Sequence, residues 1–303
     1  MIESHLYQTK AALPPPVIAG EYKQKTSAAV NRTAHAAVAI DNKIYAFGGS
    51  HQILNSVMEV YDIETDQWAN LATQGTPSPR HSIASCVLNG KLYIFGGSTT
   101  TAWSPTAEAY VFDPATNIWT KLANQPAALC IQTAVAIKGK IYLFGGFNGG
   151  SSVNSFYEYD PVSNTYRTIP NSQSVSHGHR AVNIADRMFV VGGVAGTPLL
   201  SRCVAYDPTA NTWATYASSP LANTYTFTDT LGGYLYMFGG SRNTDTTTHN
   251  RLFRFHPPSN TWDELPTGAQ AGYYGVMIPV EDRLYLHGGR NSTTLFPALW
   301  EIT

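Results

Sequence analysis

Six short apolar runs recur along the chain, each closing on a glycine pair: IYAFGG, LYIFGG, IYLFGG, MFVVGG, LYMFGG and LYLHGG. They are rich in β-branched and aromatic residues and too short for a helix, so each predicts a buried strand. The leading glycines are Gly48, Gly96, Gly145, Gly192, Gly239 and Gly288, spaced 48, 49, 47, 47 and 49 residues apart. Self-similarity at that period predicts stacked copies of one supersecondary unit rather than unrelated domains.

Each unit reads as four strands. Upstream of the glycine run lies a second apolar stretch, such as TAHAAVAI, HSIASCVL or QTAVAI, joined by a DN, NG or KG turn that predicts a hairpin. Downstream of the first five pairs come VYDIETDQW, VFDPATNIW, EYDPVSNTY, AYDPTANTW and RFHPPSNTW, ending at Trp68, Trp119, Tyr166, Trp213 and Trp262. Asp caps free backbone N–H groups, Pro presets φ and Asn accepts the left-handed conformation, so these segments predict a second hairpin. A four-stranded sheet of this size cannot hide both faces alone. Face-to-face stacking in a ring buries them and leaves few edges, which predicts an all-β, six-bladed β-propeller with four antiparallel strands per blade. The sixth repeat stops at LWEIT without its turn or outer Trp, while the N-terminal AGEYKQK carries Tyr22 where a fourth strand would carry that Trp. The N-terminal strand is therefore expected to complete the last blade and remove the open edge. Residues 18–303 are expected to form a single propeller domain, and residues 1–17, with Pro14-Pro15-Pro16, a flexible arm.

The glycine pair, the aromatic-Asp that follows it and the Trp six residues beyond the Asp resemble the kelch family, over roughly residues 20–303 and in five near-complete repeats. The resemblance implies that the loops entering each blade and those joining its second and third strands share one face around the channel, and that this face binds the partner.

Composition narrows the function. Charged residues are only 13% of the chain, and 19 Lys+Arg against 20 Asp+Glu leave a net charge of -1 with no basic run. Counterion release, which drives nucleic-acid affinity, has little to act on, so neither nucleic acid nor an anionic membrane is expected as a partner. No apolar stretch is long enough to span a bilayer and no export signal opens the chain. Cys86, Cys130 and Cys203 are odd in number, lie in apolar runs and form no CxxC spacing, which suits free thiols in a reducing, cytoplasmic, monomeric protein.

Residues that serve the fold should recur in every repeat, so departures from the repeat mark candidate site positions. In the loops entering the blades these are Arg32, His35, Arg80, His81, His177, His179, Arg180, Tyr225, Tyr273 and Tyr274; in the loops between second and third strands they are Trp103, Phe147, Asn148, Arg242 and Arg290. Such a mouth suits a protein, an acidic peptide or a polar small molecule, with Arg forks taking carboxylates and aromatics giving rigid contact area. An alternative is a cofactor-independent isomerase, cyclase or lyase with His177 or His179 as acid-base and the Tyr225, Tyr273 and Tyr274 cluster shaping the pocket. Strand alternation would point His177 and His179 the same way. Asp245 and His249 resemble the tail of the Glu-x-x-x-Asp-x-x-x-His iron site of the kelch-type plant specifier proteins, but Ser241 stands where that motif has Glu, so an Fe(II) site would lack its anionic ligand. No phosphate-cradling, dinucleotide or GxSxG motif occurs in a supporting context, and no cofactor is expected.

Overall fold

A computed structural model describes residues 18, 20–51, 53–170, 173–174, 176–196, 199–241, 248–292 and 294–303; the arm expected over residues 1–17 lies outside them. The chain folds into six four-stranded antiparallel sheets arranged as propeller blades. Five take their strands consecutively, with innermost strands Ala36–Ile40, Ala84–Leu88, Thr133–Ile137, Arg180–Ile184 and Phe227–Leu231. The sixth runs outward from Val276–Val280 through Arg283–His287 and Leu299–Ile302 to Tyr22–Lys25. Tyr22 pairs with Ile302 and Lys25 with Leu299, so the N-terminal strand closes the ring as its sequence predicts.

The cores lie between blades. Tyr45 and Phe47 of the first blade pack on Leu92, Ile94, Phe112 and Trp119 of the second, and the closing interface sets Ala37, Ile44 and Tyr61 against Ile278, Tyr285 and Leu299. The glycine pair makes this close approach possible. Gly96 has φ +61, and a Cβ there would stand 2.1 Å from the Leu129 carbonyl oxygen. Its neighbour Gly97 donates its N–H to that same carbonyl at 3.0 Å, and the bond recurs around the ring to Gly289, which donates to Arg32 at 2.8 Å.

The outer aromatics bind successive blades at the rim. Trp68 and Trp262 donate Nε1–H to the carbonyls of Thr26 and Ala217, at 2.9 and 2.8 Å, just beyond the outermost strand of the preceding blade. Tyr22 does the same to Pro266 at 3.3 Å, taking the role of the missing sixth Trp. In the outer turns Asp207 accepts the N–H groups of Thr209 and Ala210 while Asn211 is left-handed at φ 54°, as the turn chemistry requires. Cys86, Cys130 and Cys203 are free, and burial pushes the thiols of Cys130 and Cys203 up to about 12, which leaves them inert. Among the described residues no helix is long and apolar enough to cross a membrane.

Candidate functional site at the channel mouth

Two residues before each innermost strand the backbone turns left-handed. Ala34, Ser82, Ile131, Gly178, Tyr225 and Tyr274 hold this place, with φ between 50° and 66°. Their peptides join into a hoop around the channel: Ser82 donates to Ala34 at 2.6 Å, Ile131 to Ser82 at 3.0 Å, Tyr225 to Gly178 at 2.8 Å, Tyr274 to Tyr225 at 3.1 Å and Ala34 to Tyr274 at 2.7 Å. A β-branched or bulky residue is strained in this conformation, so Ile131, Tyr225 and Tyr274 persist there because the hoop holds them. The backbone repeats; the side chains do not. Blades one, two and four carry small residues there, and blades three, five and six carry bulky ones.

The large side chains form a continuous arc over the mouth. Ring centroids are 5.0 Å apart from His81 to Trp103, 6.3 Å from Trp103 to Phe147 and 5.4 Å from Phe147 to His177. The arc continues with 6.3 Å from His177 to Tyr225, 4.1 Å from Tyr225 to Tyr274 and 5.0 Å from Tyr274 to Tyr273. Seven candidates from five blades thus meet in one structure. The entering loops and the loops between second and third strands share this face, as the bridges His81–Ser98, Cys130–Phe147, His177–Val194 and Tyr273–Arg290 attest.

The two histidines of the fourth blade diverge, against the expectation from alternation, because the left-handed Gly178 between them turns the chain. His177 stays at the mouth, half-buried, with Nδ1 2.7 Å from Ser152 Oγ, and burial lowers its pKa so that it is neutral at pH 7. His179 dips between blades, with Nε2 3.2 Å from the Phe144 carbonyl and Nδ1 3.2 Å from Ser176 Oγ. Neither of its nitrogens is free, so of this pair only His177 is placed to exchange a proton with a ligand.

The cationic rim also differs from expectation. Arg32 is wholly buried: it donates to Glu59 from Nε at 3.1 Å and from one terminal nitrogen at 2.8 Å, and to the Gly48 carbonyl at 2.6 Å and Asn55 Oδ1 at 2.9 Å from the other. Arg80, equally buried, pairs with Glu108 at 2.8 Å and with Ser78. Both brace loops from beneath and present no donor to the mouth. His35 lies between the sixth and first blades with Nε2 2.9 Å from His287 Nδ1. Asn148 caps its own loop, accepting the N–H groups of Gly150 and Ser151. Arg290 is exposed on the rim beside Tyr273, its Nε donating to the Asn291 carbonyl at 3.1 Å. Arg242 and Asp245 lie outside the described residues. His249 Nδ1 accepts the Arg251 N–H at 3.2 Å, and its Nε2 lies 3.0 Å from Asn223 Nδ2. Among the described residues no group of three or more His, Cys, Asp or Glu could hold a metal.

Beneath the hoop the innermost strands enclose a channel cavity of about 360 Å³. Arg180 reaches across its neck from the fourth blade, Nε donating to the Thr226 carbonyl at 2.8 Å and a terminal nitrogen to the Gly275 carbonyl at 3.4 Å. Tyr225 and Tyr274 stand beside it, and burial raises both phenols, so they remain protonated donors. Sequence reasoning missed Asp229, whose carboxyl lines the cavity and is pushed up to about 7 by burial, against the opposing bond from the Thr230 N–H at 2.7 Å. The signal was present: the other five repeats carry Val38, Cys86, Val135, Val182 and Ile278 at this position.

A family model described as the KLHDC2/KLHL20/DRC7 Kelch-repeats domain matches residues 34–226, and a Kelch motif model matches residues 227–268. Kelch-like protein 25 of Xenopus tropicalis is 34% identical over 116 residues, covering 38% of this chain and 19% of that relative. Spermatocyte protein spe-26 of Caenorhabditis elegans is 33% identical over 123 residues, covering 38% and 21%. Beta-scruin of Limulus polyphemus is 28% identical over 133 residues, covering 42% and 14%. The matched segments thus span about a fifth or less of these relatives' lengths.

Proposed function

Because the chain belongs to the kelch-repeat family, we propose that it is a recognition scaffold whose channel mouth binds a protein segment, with preference for an acidic or polar one. The aromatic arc carries this reading. Tyr, Trp and His offer large contact area at low entropic cost, and clustered aromatics dominate the energetics of protein interfaces. Nothing in the fold requires the arc: blade one offers Thr33 and Ala34 where blade six offers Tyr273 and Tyr274. Arg290 on the rim and Arg180 in the neck supply the cationic side of the preference. Selection of a displayed random-peptide library on the immobilised protein tests it. The expected outcome is a consensus containing Asp, Glu or a free carboxylate whose binding falls at least tenfold in the Trp103→Ala/Phe147→Ala variant; a consensus indifferent to that variant would remove the arc from the function.

A further inference from the structure

Among the described residues lining the channel cavity, Arg180 is the only Arg or Lys and Asp229 the only carboxyl. At the same repeat position the other blades carry Ala36, Ala84, Thr133, Phe227 and Val276, so the propeller closes without a cation there. The guanidinium has five N–H donors. Its bonds engage Nε and one terminal nitrogen, both to backbone carbonyls, and the second terminal nitrogen has no protein acceptor among the described residues. No carboxylate approaches within ion-pair distance among the described residues, in contrast to Arg32 and Arg80, whose buried charges meet Glu59 and Glu108. A guanidinium withdrawn from bulk water without a counter-charge is unfavourable, and it remains protonated under all ordinary conditions. The missing anion has a place: the cavity lies beneath the guanidinium, and Tyr225 and Tyr274 line its upper wall with phenols that remain protonated.

We propose that the channel neck is an oxyanion site, centred on Arg180 and bounded by Tyr225 and Tyr274, that takes the carboxylate or phosphoryl group of a small organic anion. Planar, two-donor recognition is what a guanidinium offers such groups. The cavity, about 360 Å³, is at the small end of ligand sites and excludes a folded partner. The polar lower wall, with Asn183, Thr228 and Asp229, would meet a hydroxyl or amine on the remainder of the ligand. Arg180, Tyr225 and Tyr274 belong to the mouth as well, but Trp103 and Phe147 do not line the cavity, so binding of a small anion and recognition by the arc can each fail without the other.

Thermal denaturation and calorimetric titration with inorganic phosphate and, separately, acetate, at ionic strength held constant with sodium chloride, test the inference. Wild type is expected to bind at least one probe saturably; phosphate alone would assign the site to phosphoryl groups and acetate alone to carboxylates. Arg180→Gln should weaken that binding at least tenfold, whereas Trp103→Ala/Phe147→Ala should leave it unchanged. If Arg180→Gln fails to fold, Ser85→Phe, which adds bulk to the channel from the second blade, should abolish binding instead. No saturable binding of either probe by wild type would overturn the proposal and leave Arg180 as a strut between blades, as would equal affinity in a folded Arg180→Gln protein.

Discussion

Arg32 is buried as an ion rather than as a neutral group, and its stability contribution depends on Glu59 remaining opposite it. Glu59→Ala leaves the guanidinium enclosed and unpaired, and chemical denaturation should register a loss of about 3–5 kcal/mol. The sequence could not reveal this pairing. Arg32 and Arg80 occupy the loop positions expected of rim residues, but their partners stand 27 and 28 residues away, Glu59 in the third strand of its blade and Glu108 just before the third strand of the next, and only the fold brings them together. Asp229 shows the opposite case: it was legible as a carboxyl in a position otherwise apolar. Its folded pKa, about 7, lies above the ordinary carboxyl value of 3.8. Between those values the unfolded chain is ionised while the folded one holds its proton, so stability falls as pH rises from about 4 to about 7. Asp229→Asn removes this penalty. The variant should match wild type near pH 4 and exceed it above pH 7 by about 1–2 kcal/mol, less than the full shift implies because the carboxyl faces channel water; an equal difference at both pH values would place the charge elsewhere.

At the scale of strands and loops, repeat arithmetic placed the four-stranded blades, the turns and the closing strand, because glycine pairs and Asp-turns are local signals. It failed where one residue redirected a segment, as Gly178 does between His177 and His179. The closing interface carries a device of its own. His35 and His287 occupy positions that between the first two blades are held by Ile83 and Phe47, and Trp68 stacks on His287 with centroids 4.8 Å apart. Burial lowers both imidazoles, His287 to about 3, with mutual repulsion and the charges of Arg32 and Arg180 adding to the effect on His35. Depressed histidines stabilise the fold fully above the unfolded value of 6.5, and that contribution is lost as pH falls below it toward 3. The His35→Ile/His287→Phe variant copies the first interface and should flatten the acid limb of a melting-temperature profile between pH 6.5 and 4. An unchanged acid limb would show that other groups set it.

Across the whole molecule, the residues that hold the fold and those proposed for recognition are largely different. Trp119 is almost completely buried between the first and second blades, and its truncation to alanine should cost about 3–5 kcal/mol in urea unfolding. His177→Ala, at the half-exposed mouth, should change stability by less than about 1 kcal/mol; losses as large as those of Trp119→Ala would make His177 part of the core. The ring was legible because every blade must solve the same packing problem. The mouth was legible only in outline, because the hoop repeats in backbone geometry while its side chains vary without sequence rule. The most direct test of the mouth as the recognition surface is backbone hydrogen–deuterium exchange, with and without a saturating selected peptide. Protection is expected in the loops around 98–106, 145–152 and 176–179 and in Tyr273 to Gly275, with the outer turns around 62–66 and 207–211 unchanged. Protection confined to those outer turns, or to the opposite end of the channel, would contradict the account.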